Sequence, residues 1–426
     1  MDSFYIEGGI PLRGEYRIKG AKNSALPILA ATVCRAGVYE LYDCPRIGDV
    51  FSMIEILESL GARVKWEKEC VVVDSRGISE FAVPEKLMAE MRSSVFLMGS
   101  LLARTGETVI HRPGGCRIGK RPIDIHISGL EQIGFEVDEG ADEGKRISCK
   151  GKCSGGRITL PYPSVGATEN LIMAALSGNS DTIIENCAIE PEIADLQGFL
   201  RTIGFQVFGA GTDTIFVKGS GEKMKGFSGA EGMYFILEDR IEAATYMSAV
   251  LGTGGRAVFR NIRPEIMKAV LDVFERMGAQ IRTCDGMIEL WSRGRLKSPG
   301  IVITQPFPGF PTDCQPQLMS IASTATGLTT IREEIFDSRF THKNDLNKMG
   351  ADIETCGKNA IIKGSKKLDG KRVKALDLRG GAALVIAGLM AEGETVVEDA
   401  FHIHRGYEDF EKGIRSLGGY IETRRT

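Results

Sequence analysis

A sequence pattern that recurs six times along the chain is the feature that most limits its possible folds. Each copy ends a helix-like run with an apolar residue and a glycine, and then begins a strand-like run. The copies are LESLGARV, LEQIGFEV, LRTIGFQV, FERMGAQI, LNKMGADI and IRSLGGYI, with Gly61, Gly134, Gly204, Gly278, Gly350 and Gly418. These glycines are 73, 70, 74, 72 and 68 residues apart, and such regular spacing indicates an internal repeat.

The first copy shows the physical basis of the repeat. Its apolar residues recur at the spacing of one helix face and are Val50, Met53, Ile54, Leu57 and Leu60. Gly61 then predicts a left-handed cap at the end of the helix, and ARVKWE alternates as a half-buried strand does. In the third and fourth copies, Pro191 and Pro264 fit the first helical turn.

A second element precedes each of these amphipathic helices. The six segments are rich in Ala, Leu, Ile and Met and are NSALPILAATVC, SSVFLMGSLLAR, TENLIMAALSG, IEAATYMSAVLG, QPQLMSIASTATG and GAALVIAGLMAEG. A helix that is apolar on every side is normally buried, and a glycine with a short strand follows each one. The predicted unit is therefore a buried helix, a strand, a loop, an amphipathic helix, a glycine and a strand.

Six such units predict an α/β protein of two domains, each with three buried helices enclosed by strands and outer helices. The glycine-rich stretch 219–232 interrupts the pattern near the middle of the chain, as a domain connection would. An open repeat solenoid is the alternative. Its repeats are usually shorter, however, and it has no break at the midpoint.

Composition and cysteine usage predict a soluble cytoplasmic protein with free thiols. The net charge of -3 gives no whole-chain footprint for a polyanion such as nucleic acid. The first residues lack the basic and apolar blocks of a secretory signal, and no apolar run approaches the length of a membrane span. Only Cys149 and Cys153 lie close together among ten cysteines, which disfavours a structural zinc site.

Polar residues gather immediately before the six buried helices. They are Lys22-Asn23, Arg92, Ser164 to Thr168, Asp239-Arg240, Thr312-Asp313 and Asp377 to Arg379. Ser164, Thr312 and Asp377 are good capping residues, so simple helix caps are one interpretation. A helix N-terminus disfavours a cation by about 0.3–1 kcal/mol, however, so the lysine and arginines there need a compensating anion. We therefore predict a binding site for an anionic ligand.

The loops between strands and outer helices add further cations. Arg339 and Arg405 lie in the fifth and sixth loops, and arginine binds phosphate or carboxylate through two parallel hydrogen bonds. The second loop contains HRPGGCRIGKRPIDIH, in which Cys116 follows two glycines and precedes several cations. Nearby cations favour a thiolate, whereas the other nine cysteines are expected to be small apolar residues. Cys116 is thus either a reactive thiol or apolar filler in a turn.

The motifs GAKNSALPILAA, PGGCRIGKRPIDIHISGLEQIG, PSVGATEN, FPTDCQ, DLRGGAALVIAG and HIHRGYE resemble the UDP-N-acetylglucosamine 1-carboxyvinyltransferases, a family of enolpyruvyl transferases. The resemblance runs along the whole chain in order. It implies two inside-out α/β barrel domains of three repeats each, with the active site in the cleft between them. The implied domains are residues 22–237, and residues 1–21 together with 238–426. The N-terminal strand would pair with the C-terminal half.

The resemblance also implies an activity that opens bacterial peptidoglycan synthesis. The enolpyruvyl group of phosphoenolpyruvate is transferred to the 3′-hydroxyl of UDP-N-acetylglucosamine and phosphate is released. No metal or organic cofactor is implied. The expected partners are these two small molecules, with neither nucleic acid nor membrane, and the chain is expected to act as a monomer.

Site residues follow from the resemblance position by position. Cys116 is the expected proton donor and the target of the epoxide fosfomycin, and Asp313 is the expected general base. The phosphoenolpyruvate set is Lys22, Asn23, Arg121, Arg339 and Arg405, of which Lys22 and Arg405 also count as catalytic. The UDP-N-acetylglucosamine set is Asn23, Arg92, Arg121, Pro122, Ile123, Asp124, Ile125, Ser164, Val165, Gly166, Asp313 and Ile335. Asp377 lies in the matching DLR.

The sequence departs from the family pattern at His404, Ser338, Ile189 and Ser100. His404 stands where an aspartate usually precedes R-G-Y-E, and Ile189 replaces an arginine. These two positions keep open a catalytically silent paralogue that binds UDP-sugars. The sister enzyme acting on shikimate 3-phosphate is another alternative. The Cys116 loop and PSVGATEN favour the sugar nucleotide.

Overall fold

A computed structural model of the protein describes residues 2–90, 92–112, 123–140, 145–221 and 230–425. The described residues divide into two compact units. Those between 20 and 237 form the N-terminal unit, and residues 2–19 with 238–425 form the C-terminal unit. Each unit has its own hydrophobic core. The first boundary follows Lys19, two residues before the position implied by the resemblance.

Fourteen α-helices are found in the described residues. They are α1 (Lys22–Ala31), α2 (Gly48–Ser59), α3 (Glu85–Glu90), α4 (Phe96–Thr105), α5 (Asp124–Gln132), α6 (Val165–Ala175), α7 (Pro191–Thr202), α8 (Arg240–Gly252), α9 (Lys268–Arg276), α10 (Gln315–Ala322), α11 (Lys343–Lys348), α12 (Leu378–Met390), α13 (Phe401–His404) and α14 (Phe410–Ser416). Short 3-10 turns at Arg92–Val95, Pro264–Met267 and Thr312–Cys314 precede α4, α9 and α10.

Twenty-three strands accompany them in the described residues. They are β1 (Asp2–Glu7), β2 (Arg13–Arg17), β3 (Gly37–Tyr42), β4 (Arg63–Trp66), β5 (Cys70–Asp74), β6 (Glu107–His111), β7 (Phe135–Asp138), β8 (Arg146–Gly151), β9 (Gly156–Thr159), β10 (Thr182–Glu185), β11 (Val207–Phe208), β12 (Thr214–Val217), β13 (Ala230–Phe235), β14 (Arg256–Arg260), β15 (Ala279–Cys284), β16 (Met287–Ser292), β17 (Ile301–Ile303), β18 (Leu328–Arg332), β19 (Asp352–Cys356), β20 (Asn359–Lys363), β21 (Arg372–Lys374), β22 (Glu394–Glu398) and β23 (Tyr420–Arg425).

The described strands form six sheets, three in each unit. The N-terminal unit contains β13-β3-β5-β4, β6-β8-β7 and β9-β10-β12-β11. The C-terminal unit contains β2-β14-β16-β15, β17-β18-β20-β19 and β21-β22-β1-β23. Most strands alternate buried and exposed residues, so one face of each sheet covers the core and the other faces solvent.

The six predicted buried helices are α1, α4, α6, α8, α10 and α12. In α8, every residue from Arg240 to Leu251 is buried, and α12 is buried from Arg379 to Leu389. In the C-terminal unit α8, α10 and α12 contact one another, and in the N-terminal unit α4 contacts both α1 and α6. Helices therefore occupy the interior of each unit while sheets cover it, as the apolar segments predict.

The six repeat glycines have the predicted left-handed conformation. Their φ angles run from +106° at Gly61 to +83° at Gly418, a region that residues with a Cβ rarely adopt. The outer helix of the last two repeats differs from the prediction. In the fifth repeat it is the six-residue α11, and in the sixth it is divided into α13 and α14. The loops carrying Arg339 and Arg405 occupy the positions of the missing turns.

Two edge strands are exchanged between the repeats. β9, β17 and β21 each precede a buried helix and pair in parallel with the strand that follows the same helix. β2 and β13 precede α1 and α8, but β2 pairs with β14 after α8, and β13 pairs with β3 after α1. Each of these two strands thus belongs to one unit while the helix that follows it belongs to the other.

The N-terminal strand completes the last sheet. β1 lies between β22 and β23 and pairs antiparallel with both, as the resemblance implied for the N-terminal strand. In the other two sheets of the C-terminal unit this position belongs to β16 or β20, which is the second strand of a hairpin. Phe4 in β1 is fully buried, and its ring lies 5.4 Å from the ring of His404 and 6.3 Å from that of Phe410.

We expect Phe4→Ala to destabilise the C-terminal unit by about 3–5 kcal/mol, since it leaves a cavity in the core. The chain has two tryptophans, Trp66 in the N-terminal unit and Trp291 in the C-terminal unit. In a Trp66→Phe background, Trp291 fluorescence during urea unfolding therefore reports on the C-terminal unit alone. Glu7→Ala, at the exposed end of the same strand, is the control and should change stability by less than about 0.5 kcal/mol. Equal midpoints for both variants would contradict the core position of β1.

Candidate active site

A carboxylate caps α12, one of the buried helices of the C-terminal unit. Asp377 Oδ1 accepts hydrogen bonds from the backbone N–H groups of Arg379 and Gly380 at 3.1 and 2.9 Å. Burial raises the pKa of Asp377. The charge of Arg339 and hydrogen bonds from Gly380 and Thr341 outweigh burial, so the pKa lies below its ordinary value. The carboxylate therefore stays ionised at the start of α12, where the helix dipole also favours a negative charge.

The start of α10 does not have the predicted cap. The Thr312 hydroxyl donates to Glu333 Oε2 at 3.0 Å instead of capping the helix, and no side chain caps the 3-10 turn Thr312–Cys314. Capping is confirmed for Asp377 and for Ser164, whose Oγ accepts from Ala167 N at 3.4 Å. The capping interpretation of Thr312 is wrong because a buried carboxylate competes for its hydroxyl.

Asp313 joins two buried arginines. Its Oδ1 lies 2.6 Å from Arg339 Nη2, and its Oδ2 lies 3.3 Å from Arg379 Nη2. Both arginine side chains are 3% exposed, whereas that of Asp313 is 26% exposed. Removing a guanidinium from water is costly unless an anion compensates it, so Asp313 stabilises both cations. The carboxylate itself remains accessible between them.

Glu333 orders the loop that contains Ile335. The Glu333 side chain is almost fully buried, and its Oε1 accepts from the backbone N–H groups of Ile335 and Phe336 at 2.9 and 3.1 Å. Its Oε2 accepts from Thr312, the residue before Asp313. One carboxylate thus fixes the predicted sugar-contacting Ile335 relative to the Asp313 turn. The sequence analysis missed Glu333, although an acid directly after an apolar strand could have indicated it.

Arg405 and His404 lie at the end of α13. Arg405 is the C-terminal cap residue of α13, at the loop position the repeat predicts. The His404 ring packs edge-on against Phe4. Burial lowers the pKa of His404 below its ordinary value and outweighs the nearby carboxylates. The histidine therefore acts as a neutral aromatic side chain, unlike the aspartate of the family pattern.

In the N-terminal unit, Lys22 and Asn23 begin α1. Lys22 Nζ lies 2.6 Å from Asp49 Oδ2, and the Asp49 side chain is only 5% exposed. Asp49 lies in the first turn of α2, where the helix dipole also favours its negative charge. The cation at this helix start therefore has a carboxylate partner, so its presence does not by itself require a ligand. The sequence analysis did not identify Asp49.

Asn170 connects three predicted nucleotide-binding segments of the N-terminal unit. Its Nδ2 donates to the carbonyl of Val95 at 2.9 Å and lies 2.8 Å from His126 Nδ1. Its Oδ1 accepts from Gly99 N at 2.8 Å. These contacts join the turn that begins at Arg92, helix α5 with Asp124 and Ile125, and helix α6, which begins after Ser164.

Gly166 lies at the same junction. A Cβ on Gly166 would lie 3.3 Å from the His126 ring, so a larger residue would require the ring to move. Ser164, Val165 and Gly166 are all partly exposed at the start of α6, and so is Ile125, whereas Ile123 is buried. The backbone of Arg92 is described, but its side chain is not. Cys116, Arg121 and Pro122 lie outside the described residues.

The nine described cysteines are free thiols, and seven of them are buried. Burial raises the pKa of Cys149, Cys187 and Cys314 to about 12, so these thiols stay protonated. The expectation that all nine are apolar filler is wrong for Cys284 and Cys356, which are exposed. Each ends a strand at a hairpin turn, where the side chain has no core to enter.

The described residues give no support for a metal site or for a membrane-spanning helix. No group of three or more His, Cys, Asp or Glu side chains among them is placed to bind a metal ion. None of the helices found in those ranges combines the length and apolarity that a membrane crossing requires.

Glu242 is a buried acidic side chain in the first turn of α8. Its Oε1 accepts from the Tyr16 hydroxyl at 3.0 Å, and its Oε2 accepts from Lys19 N at 2.8 Å. Asp239 caps the same helix by accepting from Ile241 N and Glu242 N. Burial, followed by repulsion from Asp239, raises the pKa of Glu242 to about 8.

Comparisons with known proteins agree on one type of transferase. A family model described as EPSP synthase (3-phosphoshikimate 1-carboxyvinyltransferase) matches residues 6–414. UDP-N-acetylglucosamine 1-carboxyvinyltransferase 2 of Caldanaerobacter subterraneus subsp. tengcongensis is 46% identical over 422 residues, which is 99% of each chain. UDP-N-acetylglucosamine 1-carboxyvinyltransferase of Thermotoga maritima is 42% identical over 424 residues, also 99% of each chain.

Solved structures confirm the predicted fold class. The enolpyruvyl transferase NikO from Streptomyces tendae superposes with a TM-score of 0.86 and 20% identity, covering 99% of this chain and 98% of that one. EPSP synthase from Acinetobacter baumannii gives a TM-score of 0.74 and 20% identity over the full length of both chains. At this identity the likeness shows the fold alone.

The raised pKa of Glu242 predicts how stability depends on pH. The folded unit holds the Glu242 proton up to about pH 8, whereas the unfolded chain releases it near 4.5. This contribution to stability is complete below pH 4.5 and is lost as the pH rises through about 8. We therefore expect Glu242→Gln to lose less stability between about pH 5 and about pH 8 than the unsubstituted chain does. Urea unfolding followed by Trp291 fluorescence measures this. The control is Glu422→Gln, at an exposed ion pair with Arg424, and an identical pH slope in all three chains would contradict the prediction.

Proposed function

This chain belongs to the UDP-N-acetylglucosamine 1-carboxyvinyltransferase family, and we propose that it transfers the enolpyruvyl group of phosphoenolpyruvate to the 3′-hydroxyl of UDP-N-acetylglucosamine. The observation that carries the proposal is 46% identity over 99% of both chains to a relative with that name. The reaction would be the first committed step of peptidoglycan synthesis, in the cytoplasm.

The chemistry requires one acid, one base and several cations. The 3′-oxygen of the sugar adds to C2 of phosphoenolpyruvate while a proton is added to the methylene carbon, which becomes a methyl group. Loss of phosphate from C2 and of one proton from the methyl carbon then restores the double bond. The products are an enolpyruvyl ether and inorganic phosphate, and no carbon changes its overall oxidation state in a way that needs a redox partner. Positioned acid and base groups supply the proton transfers.

Asp313 is the proposed base for the sugar hydroxyl. Part of its side chain is exposed, so its carboxylate can reach a substrate hydroxyl and accept a proton. Arg339 and Arg379 hold the carboxylate in one orientation. Arg339 also belongs to the proposed phosphoenolpyruvate set. When the anionic substrate engages Arg339, Asp313 shares this cation with the substrate and becomes a stronger base. Arg405, in the sixth loop, is proposed to bind the same substrate.

The N-terminal unit is proposed to bind both substrates. Lys22 and Asn23 present a cation and an amide at the start of α1, suited to the anionic groups of phosphoenolpyruvate. Asp49 holds the Lys22 ammonium group in place until the substrate arrives. Ser164 to Gly166 lie at the N-terminus of the eleven-residue α6, where free N–H groups suit a diphosphate. Arg92, Ile123, Asp124 and Ile125 are proposed to contact the rest of the nucleotide sugar, together with Ile335.

Cys116, Arg121 and Pro122 enter the proposal through the family motif alone. Cys116 is the proposed proton donor to the methylene carbon, and Arg121 would bind phosphoenolpyruvate beside it. The cations at Arg117, Lys120 and Arg121 in the same motif would favour the thiolate form that fosfomycin alkylates. The chain would act as a monomer.

The shikimate 3-phosphate reaction is the second candidate, because the matching family model carries that description. Solved EPSP synthases are only 19–20% identical to this chain, whereas relatives named for the sugar nucleotide are 41–46% identical. A silent UDP-sugar-binding paralogue is less well supported. His404 is accommodated by aromatic packing, and Lys22, Asp313, Arg339 and Arg405 are all present.

Phosphate release distinguishes these candidates. With phosphoenolpyruvate as donor, we expect release with UDP-N-acetylglucosamine and none with shikimate 3-phosphate, since the motifs match the sugar nucleotide. A colorimetric phosphate assay measures both reactions under identical conditions. Release with shikimate 3-phosphate alone would contradict the proposal. Binding of the sugar nucleotide without release would identify a silent paralogue.

Covalent labelling tests the role of Cys116. We expect fosfomycin to add one adduct to the chain at Cys116, because the seven buried thiols are shielded from the reagent. A Cys284→Ser, Cys356→Ser background removes the two exposed described thiols. In that background, intact mass should show one adduct, and Cys116→Ser should abolish both the adduct and turnover. An adduct that persists after Cys116→Ser would contradict the assignment.

A further inference from the structure

Three hydrogen bonds converge on one partly buried carboxylate in the N-terminal unit. Asp195 lies in α7, and its Oδ2 accepts from the Ser24 hydroxyl and from the backbone N–H of Leu237, the latter at 3.0 Å. Its Oδ1 accepts from the Tyr234 hydroxyl at 2.7 Å. Leu237 is the last residue of the N-terminal unit before the chain passes to Glu238.

These contacts form a closed ring around the start of α1. Ala21 precedes the helix, and its N–H donates to the carbonyl of Leu237 at 2.6 Å. Ser24, in the first turn of the same helix, reaches Leu237 a second time through Asp195. Lys22 and Asn23 lie between these two attachment points. No side chain caps α1, so its first turn is held in place by this ring.

The residues around Asp195 leave space for the Tyr234 ring and its hydroxyl. Gly198, one turn later in α7, lies under the Tyr234 ring, and a Cβ there would be 2.5 Å from the Tyr234 hydroxyl. The same ring packs edge-on against Phe199 at 5.6 Å. Within the described ranges, no lysine, arginine or histidine forms an ion pair with Asp195. Burial raises the pKa of Asp195 above its ordinary value, and the hydrogen bonds from the three neutral donors oppose that shift. A carboxylate is a short side chain with enough lone pairs to accept from all three at once.

We propose that Asp195 is a positioning residue for Lys22 and Asn23, because it attaches the first turn of α1 to the segment that leaves the N-terminal unit. This proposal rests on the proposed function, in which Lys22 and Asn23 bind phosphoenolpyruvate. Without Asp195, the first turn of α1 keeps its link through Ala21 but loses its link through Ser24. The Lys22 ammonium group is then less precisely placed for the substrate.

Three single variants separate positioning from simple stability. Ser24→Ala removes the link to α1, and Asp195→Asn weakens it because an amide has one acceptor oxygen where the carboxylate has two. We expect the KM for phosphoenolpyruvate to rise in both, by about tenfold or more in Ser24→Ala. Affinity for UDP-N-acetylglucosamine should fall less than that for phosphoenolpyruvate, because most of its proposed ligands lie away from the start of α1 and only Asn23 is shared with this turn. Tyr234→Phe is the matched control. It removes a hydrogen bond from the same carboxylate but leaves the Ser24 link intact, so it should lower stability without changing that KM.

The measurements are steady-state phosphate release with each substrate varied in turn, and urea unfolding followed by Trp66 fluorescence in a Trp291→Phe background. The Ser24→Ala, Asp195→Asn double variant should raise the KM no more than the more severe single variant, since both act on the same link. If Asp195→Asn does not fold, Ser24→Ala alone decides the question. An unchanged KM for phosphoenolpyruvate in Ser24→Ala would overturn the proposal. So would a rise of that KM in Tyr234→Phe as large, for the same loss of stability, as the rise in Ser24→Ala. An unsubstituted chain without phosphate release would instead contradict the proposed function, and the role of Asp195 with it.

Discussion

A helix that is buried along its whole length can present its backbone to polar partners only at its ends, and this constraint organises both units. Apolar side chains cover the sides of α8 and α12, so their free N–H groups and dipoles act at the N-terminal end. Asp239 and Asp377 satisfy those groups in the C-terminal unit, and Ser164 does so in the N-terminal unit. Proposed site residues occur at or beside the starts of α1, α4, α6 and α10 because those starts are where an apolar interior meets polar groups.

Charge pairing is the second consequence of this arrangement. Arginines that approach the buried helices lose water, so they occur with a carboxylate, as Arg339 and Arg379 do with Asp313. Lys22 has Asp49 in the same way. An anionic substrate would replace these carboxylates as the partner of cations that are already desolvated and oriented. Preorganised charges of this kind need little rearrangement during a reaction, and this favours catalysis.

The exchange of β2 and β13 links the two units in sequence while leaving each with complete sheets. The strand before a buried helix normally pairs with the strand after it, as β9 and β10 do. At α1 and α8 the pairing partners are swapped, so the segments around residues 19 and 237 must each be held in their own unit. Acidic side chains with little exposure perform this task on both sides, Glu242 for Lys19 and Asp195 for Leu237.

The sequence alone determined the repeat, the six buried helices and the left-handed glycines, because apolar periodicity and glycine placement are local properties. Most residues of the proposed site came from the motifs that resemble the family. The sequence did not reveal the exchange of β2 and β13, since all edge strands look alike until their partners are known. It also missed Asp49, Glu333 and Asp195, because a carboxylate held by partners inside the fold is written with the same letter as an exposed one. Only tertiary structure decides whether such a side chain meets water, a cation or a set of N–H and O–H donors, because those partners come from segments distant in the chain.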